Sequence, residues 1–249
     1  MAVLGCIALV TDFGVGSPYL GQIRLLMAAS CPGLPVVELI SDLPSFRPDL
    51  AAYLLPPLVR DLPPGTLYLV VVDPGVGSDR RALVVEGDGN LYVGPDNGLF
   101  SQVVRRARQP RVYRIDWRPE CLSPSFQGRD LFTPVALDLA TDRGQIPLAP
   151  ISVEGLVGGD WPDELPAIIY QDVYGNAMTG LRASGLMPTQ DLSVQGHRLS
   201  FARTFHLMPV GKAFWYENAF GLVEIAVNQG SARQELGLQL GDPVALFIP

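Results

Sequence analysis

VVVDPGVGSDRR, residues 70–81, contains the point where an apolar run of the chain stops at a carboxylate, a proline and two glycines. The run 67–72 predicts a buried strand, which Asp73 follows directly. Open α/β sheets bind ligands at the carboxyl ends of their strands, so Asp73 is a candidate site residue. The glycines permit a sharp turn that returns Arg80 toward Asp73. The same residues also fit a strand-to-turn junction closed by a surface ion pair.

The composition predicts a compact, globular protein rather than a disordered one. Apolar residues make up 48% of the 249 residues and charged residues 17%, which indicates one large domain or two smaller ones. The formal charge of −7 argues against a nucleic-acid surface. No apolar stretch approaches the roughly 18 residues that span a bilayer, and we interpret the N-terminal apolar run as a strand rather than a signal peptide.

The cysteines and histidines argue against metal or disulfide chemistry. Cys6, Cys31 and Cys121 are widely spaced, odd in number and without a C-x-x-C pair, so we predict a reduced, cytoplasmic protein. His197 and His206 both lie late in the chain. A histidine metal cluster or a Ser-His-Asp triad would need one of them to fold back onto the N-terminal strands.

Strands and helices alternate in the first part of the chain, which predicts a mostly parallel α/β sandwich. A first strand, 7–10, ends at Asp12 and thus delivers a second carboxylate to what is expected to be the same sheet edge. Residues 87–90 predict a hairpin turn between two strands. The predicted elements are strands 7–10, 35–39, 67–72, 82–86 and 91–93 and helices 19–29, 49–59, 99–106 and 131–140.

The chain changes character between residues 147 and 166, where glycine, proline and acidic residues predict a linker. Beyond it, short strands alternate with turns, which predicts a small β-barrel or sandwich. We therefore expect an N-terminal domain at 1–156 and a C-terminal domain at 165–249. The predicted strands of this second part are 167–170, 192–194, 199–201, 213–217, 222–227 and 243–248.

Six segments together resemble one family, the S-adenosyl-L-methionine hydrolases, which are hydroxide adenosyltransferases related to fluorinase and chlorinase. The segments follow the family's order and extend over nearly the whole chain. They are TDFG at 11–14, VVDPGVGSDRR at 71–81, GPDNGL at 94–99, SFQGRDLFTP at 125–134, DVYGNAMTG at 172–180 and NAFGLVEIAVNQGSA at 218–232.

The resemblance implies a C-terminal β-barrel and a homotrimer in which one subunit's N-terminal domain and a neighbour's C-terminal domain share each site. It also implies that water or hydroxide attacks ribose C5′ of S-adenosyl-L-methionine, which gives adenosine and L-methionine. The leaving group is a neutral thioether, so neither a general acid nor a cofactor is required.

By the same resemblance, Asp73 and Arg80 match two members of a water-orienting Asp-Arg-His trio. The halogenating relatives have a tyrosine where Asp73 stands, so Asp73 favours water over halide. Gln127 stands where the family motif TFHGRD has histidine. Glutamine can hold a water but cannot take its proton, and Arg80 stabilises the ionised form of Asp73, which weakens that carboxylate as a base.

The remaining candidate residues match ligand-binding positions of the family, with one departure. Ala219 stands where a serine ordinarily helps to bind the methionine end. Glu224, a lone charge in an apolar strand, is a further candidate contact. For the ribose, Asp12 matches the residue that binds the diol and Phe46 an aromatic that lines the ribose region. For the methionine end, Asp172 matches the residue that binds the ammonium. For adenine, Asn176 matches a contact to its edge, Phe205 an aromatic that stacks on it, and the backbone of 227–229, starting at Val227, the segment that hydrogen-bonds to it.

Two other functions fit parts of the pattern. A protein that binds S-adenosyl-L-methionine or adenosine without turnover would account for Gln127 and Ala219. A 5′-halogenase is disfavoured by Asp73. The candidate ligand residues also have structural explanations. Asp172 and Asn176 fit turn residues, and Phe46 and Phe205 fit residues of the hydrophobic core.

Overall fold

The computed structural model describes residues 4–247, which divide into two compact units. The first unit runs to Ala52 and resumes over Leu62–Trp161. The second comprises Tyr53–Asp61 and the chain from Pro162 onward. The division therefore falls within helix α2 (Pro48–Val59), whose later turns belong to the second unit.

A seven-stranded mixed sheet forms the centre of the first unit, and its strand order is 2-1-3-5-4-6-7. The first and third strands are almost fully buried, as their apolar runs predict. The strands are β1 (Cys6–Thr11), β2 (Val36–Ile40), β3 (Thr66–Val71), β4 (Ala82–Gly87), β5 (Asn90–Pro95), β6 (Arg111–Ile115) and β7 (Leu148–Ile151).

The α/β prediction is confirmed, but the sheet is mixed rather than mostly parallel. Strands β2, β1, β3 and β5 pair in parallel. Strand β4 is antiparallel to β5 and β6, and β7 is antiparallel to β6. The cause is the predicted hairpin turn, in which Asp88 and Gly89 have φ of 49° and 82°. A two-residue turn of this kind joins only antiparallel neighbours.

The helices of the first unit lie close to their predicted positions. Helix α1 (Pro18–Ser30) buries Leu20, Ile23 and Met27 in the same core as β1 and β3. Helix α3 spans Ser101–Arg106, and α4 spans Thr133–Ala140. A π-helical turn, Gly128–Phe132, precedes α4 where the sequence predicted ordinary helix from 131. Within residues 4–247, no helix has the length and apolar character needed to cross a membrane.

The second unit contains two antiparallel sheets and a short helix. Its elements are β8 (Leu165–Gln171), β9 (Ala177–Arg182), β10 (Leu192–Val194), β11 (His197–Leu199), β12 (Ala213–Glu217), β13 (Leu222–Val227), α5 (Ala232–Glu235) and β14 (Val244–Leu246). One sheet has the order β12-β13-β9-β8 and the other β11-β10-β14. Their facing side chains form a single core that includes Ile168, Leu192 and Trp215.

The predicted β-barrel is wrong in that no closed sheet forms among the described residues. The two sheets meet at the isolated bridges Ala167–Pro243 and Phe201–Trp215, without a continuous ladder. Strands β10, β11 and β14 have three residues each, and Pro243 lacks the N–H that a ladder would need there. Ile248, at the end of the predicted strand 243–248, lies outside the described residues.

Candidate active site

Asp73 and Arg80 form a buried ion pair directly after β3. Arg80 Nε donates to Asp73 Oδ1 at 2.7 Å and to Oδ2 at 2.9 Å, and Nη2 also donates to Oδ2. The side chains are 4% and 9% exposed, respectively, so the pair is not a surface ion pair. The intervening turn requires glycine at Gly77, where φ is +86° and a Cβ would lie 2.8 Å from Pro124 O.

Gln127 joins this pair from a distant part of the chain. Arg80 Nη2 donates to Gln127 Oε1 at 2.7 Å, and the residue is 5% exposed. Gln127 lies immediately before the π-helical turn Gly128–Phe132. Because Oε1 accepts from Arg80, the amide nitrogen is left to donate elsewhere. The structure thus brings together the three residues that the resemblance places at the water.

A cavity of about 270 Å³ lies beside these residues within the first unit. Asp12 and Asp73 meet there because β1 and β3 are parallel neighbours, with Thr11 opposite Val71. An aromatic group of Phe13, Tyr19 and Phe126 covers part of the wall. The lining comprises Asp12, Phe13, Tyr19, Ser45, Phe46, Val71, Asp73, Val76, Ser125, Phe126, Gln127 and Gly128.

Asp12 is held by the backbone of the segment that carries Phe46. The Phe46 N–H donates to Asp12 Oδ2 at 3.3 Å, and Phe46 has φ of 62°. Burial raises the pKa of Asp12 above its ordinary value, the hydrogen bond from Phe46 opposes this, and the Asp73 carboxylate adds to the rise. The Phe46 ring is 74% exposed, so it is not a core residue of the first unit.

Asp172 and Asn176 organise the β8–β9 turn in the second unit. Asp172 Oδ1 accepts from the N–H groups of Tyr174 and Asn176, both at 2.9 Å. Asp172 Oδ2 accepts from Asn176 Nδ2 at 2.9 Å. Both residues therefore have the structural role of turn residues. An ionised carboxylate has about four lone-pair sites, so Asp172 retains capacity to accept from a ligand.

Glu224 is a buried carboxylate on β13, and it is 2% exposed. Asn218 Nδ2 donates to Glu224 Oε2 at 2.6 Å, and Asn218 Oδ1 accepts from Phe220 N–H at 2.9 Å and Leu222 N–H at 3.0 Å. Asn218 thereby fixes the β12–β13 turn, which carries Ala219 at an exposed position. Glu224 is thus linked through Asn218 to the backbone around Ala219.

Asp172 and Glu224 interact with each other and with Tyr216. Burial raises the pKa of Glu224, hydrogen bonds from Asn218 and Tyr216 lower it, and Asp172 raises it further, with a net rise above its ordinary value. Burial also raises the pKa of Tyr216, and the neighbouring Glu224 carboxylate adds to the rise. Asp172 and Glu224 thus belong to one acidic group.

Phe205 and Val227 have different surroundings. The Phe205 ring packs edge-on against Phe214 at 5.2 Å and Tyr216 at 5.3 Å between centroids. It thereby joins the face that carries Glu224. The Val227 side chain is buried in the core between the two sheets. A ligand role for Val227 therefore concerns its backbone.

The sequence did not single out two residues of these groups, Tyr216 and Asn218. Tyr216 stands directly opposite Glu224 in the β12–β13 ladder, so its place depends on strand register. Asn218 could have been found from its position in the sequence. It follows a strand and lies three residues before a glycine, which is typical of a turn. In the part of the chain that the structure describes, His, Cys, Asp and Glu form no group of three able to hold a metal ion.

Comparison with known proteins identifies the family. Models of the SAM hydroxide adenosyltransferase N-terminal and C-terminal domains match residues 7–147 and 166–245. These matches cover most of the chain, so the protein belongs to the SAM hydroxide adenosyltransferase family.

Individual relatives are similar over nearly the whole chain. An (R)-S-adenosyl-L-methionine hydrolase of Thermus thermophilus is 36% identical over 96% of this chain and 98% of its own length. Another from Salinispora arenicola is 30% identical over 97% of each chain. The crystal structure of an uncharacterized conserved protein from Thermotoga maritima has a TM-score of 0.84 at 25% identity and covers 97% of this chain and 100% of its own.

Proposed function

We propose that this protein hydrolyses S-adenosyl-L-methionine to adenosine and L-methionine. The observation that carries the proposal is the hydrogen-bonded group of Asp73, Arg80 and Gln127 at the edge of a cavity that also contains Asp12. The family and the 36% identity to a named (R)-S-adenosyl-L-methionine hydrolase support the same substrate.

The reaction needs an oriented water more than it needs strong acid or base catalysis. The water oxygen bonds to ribose C5′, the C5′–sulfur bond breaks with its electron pair going to sulfur, and the water loses one proton. Sulfur leaves as a neutral thioether, so no leaving-group protonation is required. Because the substrate supplies its own activated carbon, we propose that no cofactor or metal takes part.

Three residues are proposed to hold the water. Asp73 accepts a hydrogen from it and is the acceptor of its proton, while the Gln127 amide donates to its oxygen. Arg80 fixes both side chains, since it donates to the Asp73 carboxylate and to Gln127 Oε1. The guanidinium also stabilises negative charge that develops on the attacking oxygen.

The substrate-binding roles are proposed from the family pattern and from the surroundings of each residue. Asp12 has a carboxylate in the cavity, as a contact to the ribose diol requires, and Phe46 is exposed beside it. In the second unit we propose Asp172 and Glu224 for the ammonium of methionine, Asn176 and the backbone at Val227 for adenine, Phe205 for stacking and the turn at Ala219 for the amino-acid end.

We also propose the assembly, the domain limits and the location that the sequence suggested. These are a homotrimer with sites shared between subunits, domains at 1–156 and 165–249, and the cytoplasm. Exposed apolar side chains near the candidate residues support self-association, namely Phe46 and Val15 in the first unit and Val173 and Tyr174 in the second. The three free cysteines fit a reducing compartment.

The test is to incubate the purified protein with S-adenosyl-L-methionine in halide-free buffer and then with chloride, and to follow products by chromatography and mass. We expect adenosine and methionine in both buffers and a loss of roughly a hundredfold or more in Asp73→Asn. Asp61→Asn is the matched control, because Asp61 also accepts two hydrogen bonds from an arginine Nε but lies exposed in the other unit.

Two outcomes would contradict the proposal. Chloride-dependent formation of 5′-chloro-5′-deoxyadenosine would identify a halogenase. A tight complex with S-adenosyl-L-methionine and no product in either buffer would identify a binding protein.

A further inference from the structure

A second cavity, of about 400 Å³, is lined by Arg80 within the first unit and shares Gln127 with the cavity that contains Asp12. Four arginines line it although the whole chain has a net charge of −7. They meet because β4 and β6 are antiparallel, which places the start of β4 beside the end of β6. The four are Arg80, Arg81, Arg114 and Arg118.

Guanidinium groups outnumber carboxylates in the lining of this cavity, and three of the four arginines have a carboxylate partner. Its carboxylates are Asp79 and Asp116, so the lining carries four positive and two negative groups. Asp116 is engaged by Arg114, whose Nη2 donates at 3.0 Å. Asp96 accepts from Arg81 Nε at 2.6 Å but does not line the cavity. Asp73 and Asp96 neutralise Arg80 and Arg81 from outside the lining, so Arg118 is the lining guanidinium without a carboxylate partner among residues 4–247.

Two of the guanidinium groups, those of Arg80 and Arg118, have N–H donors without an acceptor among residues 4–247. Arg80 directs Nε and Nη2 at Asp73 and Gln127, and among residues 4–247 no acceptor binds its Nη1. Arg80 is more than nine-tenths buried, so its donors are held in a fixed direction. Arg118 has no hydrogen-bond or ion-pair partner in the part of the chain that is described. Planar guanidinium groups of this kind match the oxygens of phosphate.

We propose that this cavity binds a phosphate group between Arg80 and Arg118, as a site separate from the cavity that contains Asp12. The volume accommodates free phosphate or a small phosphate ester. Trp117 and Leu131 form an apolar side of the cavity on which the organic part of an ester would pack.

A ligand in this site acts on the proposed catalytic group because Arg80 and Gln127 border it directly. An anion at Arg80 Nη1 competes with Asp73 for the charge of one guanidinium, which makes Asp73 a better proton acceptor. This consequence rests on the proposed hydrolysis, whereas binding of the phosphate group does not.

The first experiment measures binding with the full-length protein. Inorganic phosphate and, separately, glycerol phosphate are titrated by calorimetry at constant ionic strength set with chloride. We expect binding of at least one of them, weakened by roughly tenfold or more in Arg118→Glu. Arg111→Glu is the control, because Arg111 lies exposed at the opposite end of β6 and outside the cavity.

The dissociation constants of the two ligands are then compared. Tighter binding of inorganic phosphate indicates a site for free phosphate, and tighter binding of glycerol phosphate indicates a site for a phosphate ester. Absence of binding by both, or equal binding to the wild type and Arg118→Glu, overturns the proposal. Trp117 gives an independent readout, since phosphate should change the tryptophan fluorescence of the wild type but not that of Trp117→Phe.

The second experiment measures adenosine formation with and without phosphate. We expect kcat to rise severalfold in the wild type and not in Arg118→Glu. If phosphate binds but kcat does not change, the proposed coupling between the bound anion and Asp73 is wrong. If no hydrolysis occurs under any condition, the proposed function fails while the binding result stands by itself.

Discussion

The proposed role of Gln127 in place of the family's histidine rests on how its side chain bonds to Arg80. Its Oε1 accepts from Arg80 Nη2, so the amide presents N–H groups in its other direction. A neutral histidine there would also accept from Arg80 with its unprotonated nitrogen and present N–H with the other. The two side chains thus offer the same pattern of acceptor and donor, and neither is free to accept a proton from water.

From this equivalence we expect Gln127→His to keep kcat within about threefold of the wild type. Gln127→Glu should lower kcat by roughly tenfold to a hundredfold, because a carboxylate has no donor for the water and competes with Asp73 for Arg80. The measurement is steady-state adenosine release, with thermal unfolding to show that both variants are folded. A large rise of kcat in Gln127→His would instead show that histidine acts there as a base.

The β12–β13 hairpin buries a carboxylate at a cost in stability that depends on pH. Burial and Asp172 raise the pKa of Glu224 more than its hydrogen bonds lower it. A carboxyl group with a raised pKa in the folded state contributes stability below its unfolded value, ordinarily 4.5, and loses it as pH rises through the folded value. Each unit of the rise is worth about 1.4 kcal/mol.

We therefore expect the free energy of unfolding of the wild type to fall, relative to that of Glu224→Gln, as pH rises from about 4 to 8. Glutamine keeps an acceptor for Asn218, so the turn is retained while the ionisation is removed. Urea unfolding at a series of pH values measures the difference. Glu217→Gln, which makes the same substitution at an exposed position of the same hairpin, is the matched control. A difference that is constant with pH would refute this account of Glu224.

The sequence predicted those strands that are marked by a continuous run of apolar residues. Apolar runs gave the strands that end at Asp12 and Asp73, and parallel pairing of β1 and β3 then places both carboxylates at one edge. Strands β6 and β7, of five and four residues, were not predicted, and β7 contains Pro150. Strand β9 was not predicted either, although four of its six residues are buried. The β4–β5 hairpin was predicted, but its continuation into the antiparallel strands β6 and β7 was missed.

Contacts between distant segments could not be predicted from local pattern. The hydrogen bond from Arg80 to Gln127 joins residues 47 positions apart, and Gln127 is placed by a π-helical turn that has no distinctive periodicity. The family motif put Gln127 at the site, but only the folded chain shows which of its amide atoms meets Arg80. The link from Glu224 to the turn at Ala219 likewise depends on the register of β12 and β13.

The proposed trimer makes a specific prediction about mixtures of inactive variants. Asp73 belongs to the first unit and Asp172 to the second. If one subunit's N-terminal domain and its neighbour's C-terminal domain share each site, a mixed trimer of Asp73→Asn and Asp172→Asn subunits contains some sites in which both aspartates are intact. Random assembly from equal amounts gives about a quarter of all sites in this condition.

We therefore expect each variant alone to be nearly inactive and the co-refolded mixture to recover about a quarter of wild-type activity per subunit. Multi-angle light scattering on the same samples should give three times the 26.9 kDa mass of the chain. Asp73→Asn co-refolded with Arg80→Ala is the control, because both changes lie in the first unit and no mixed site escapes them. A trimeric mixture without recovered activity would mean that each site is built from a single chain, and a monomeric mass would refute the assembly itself.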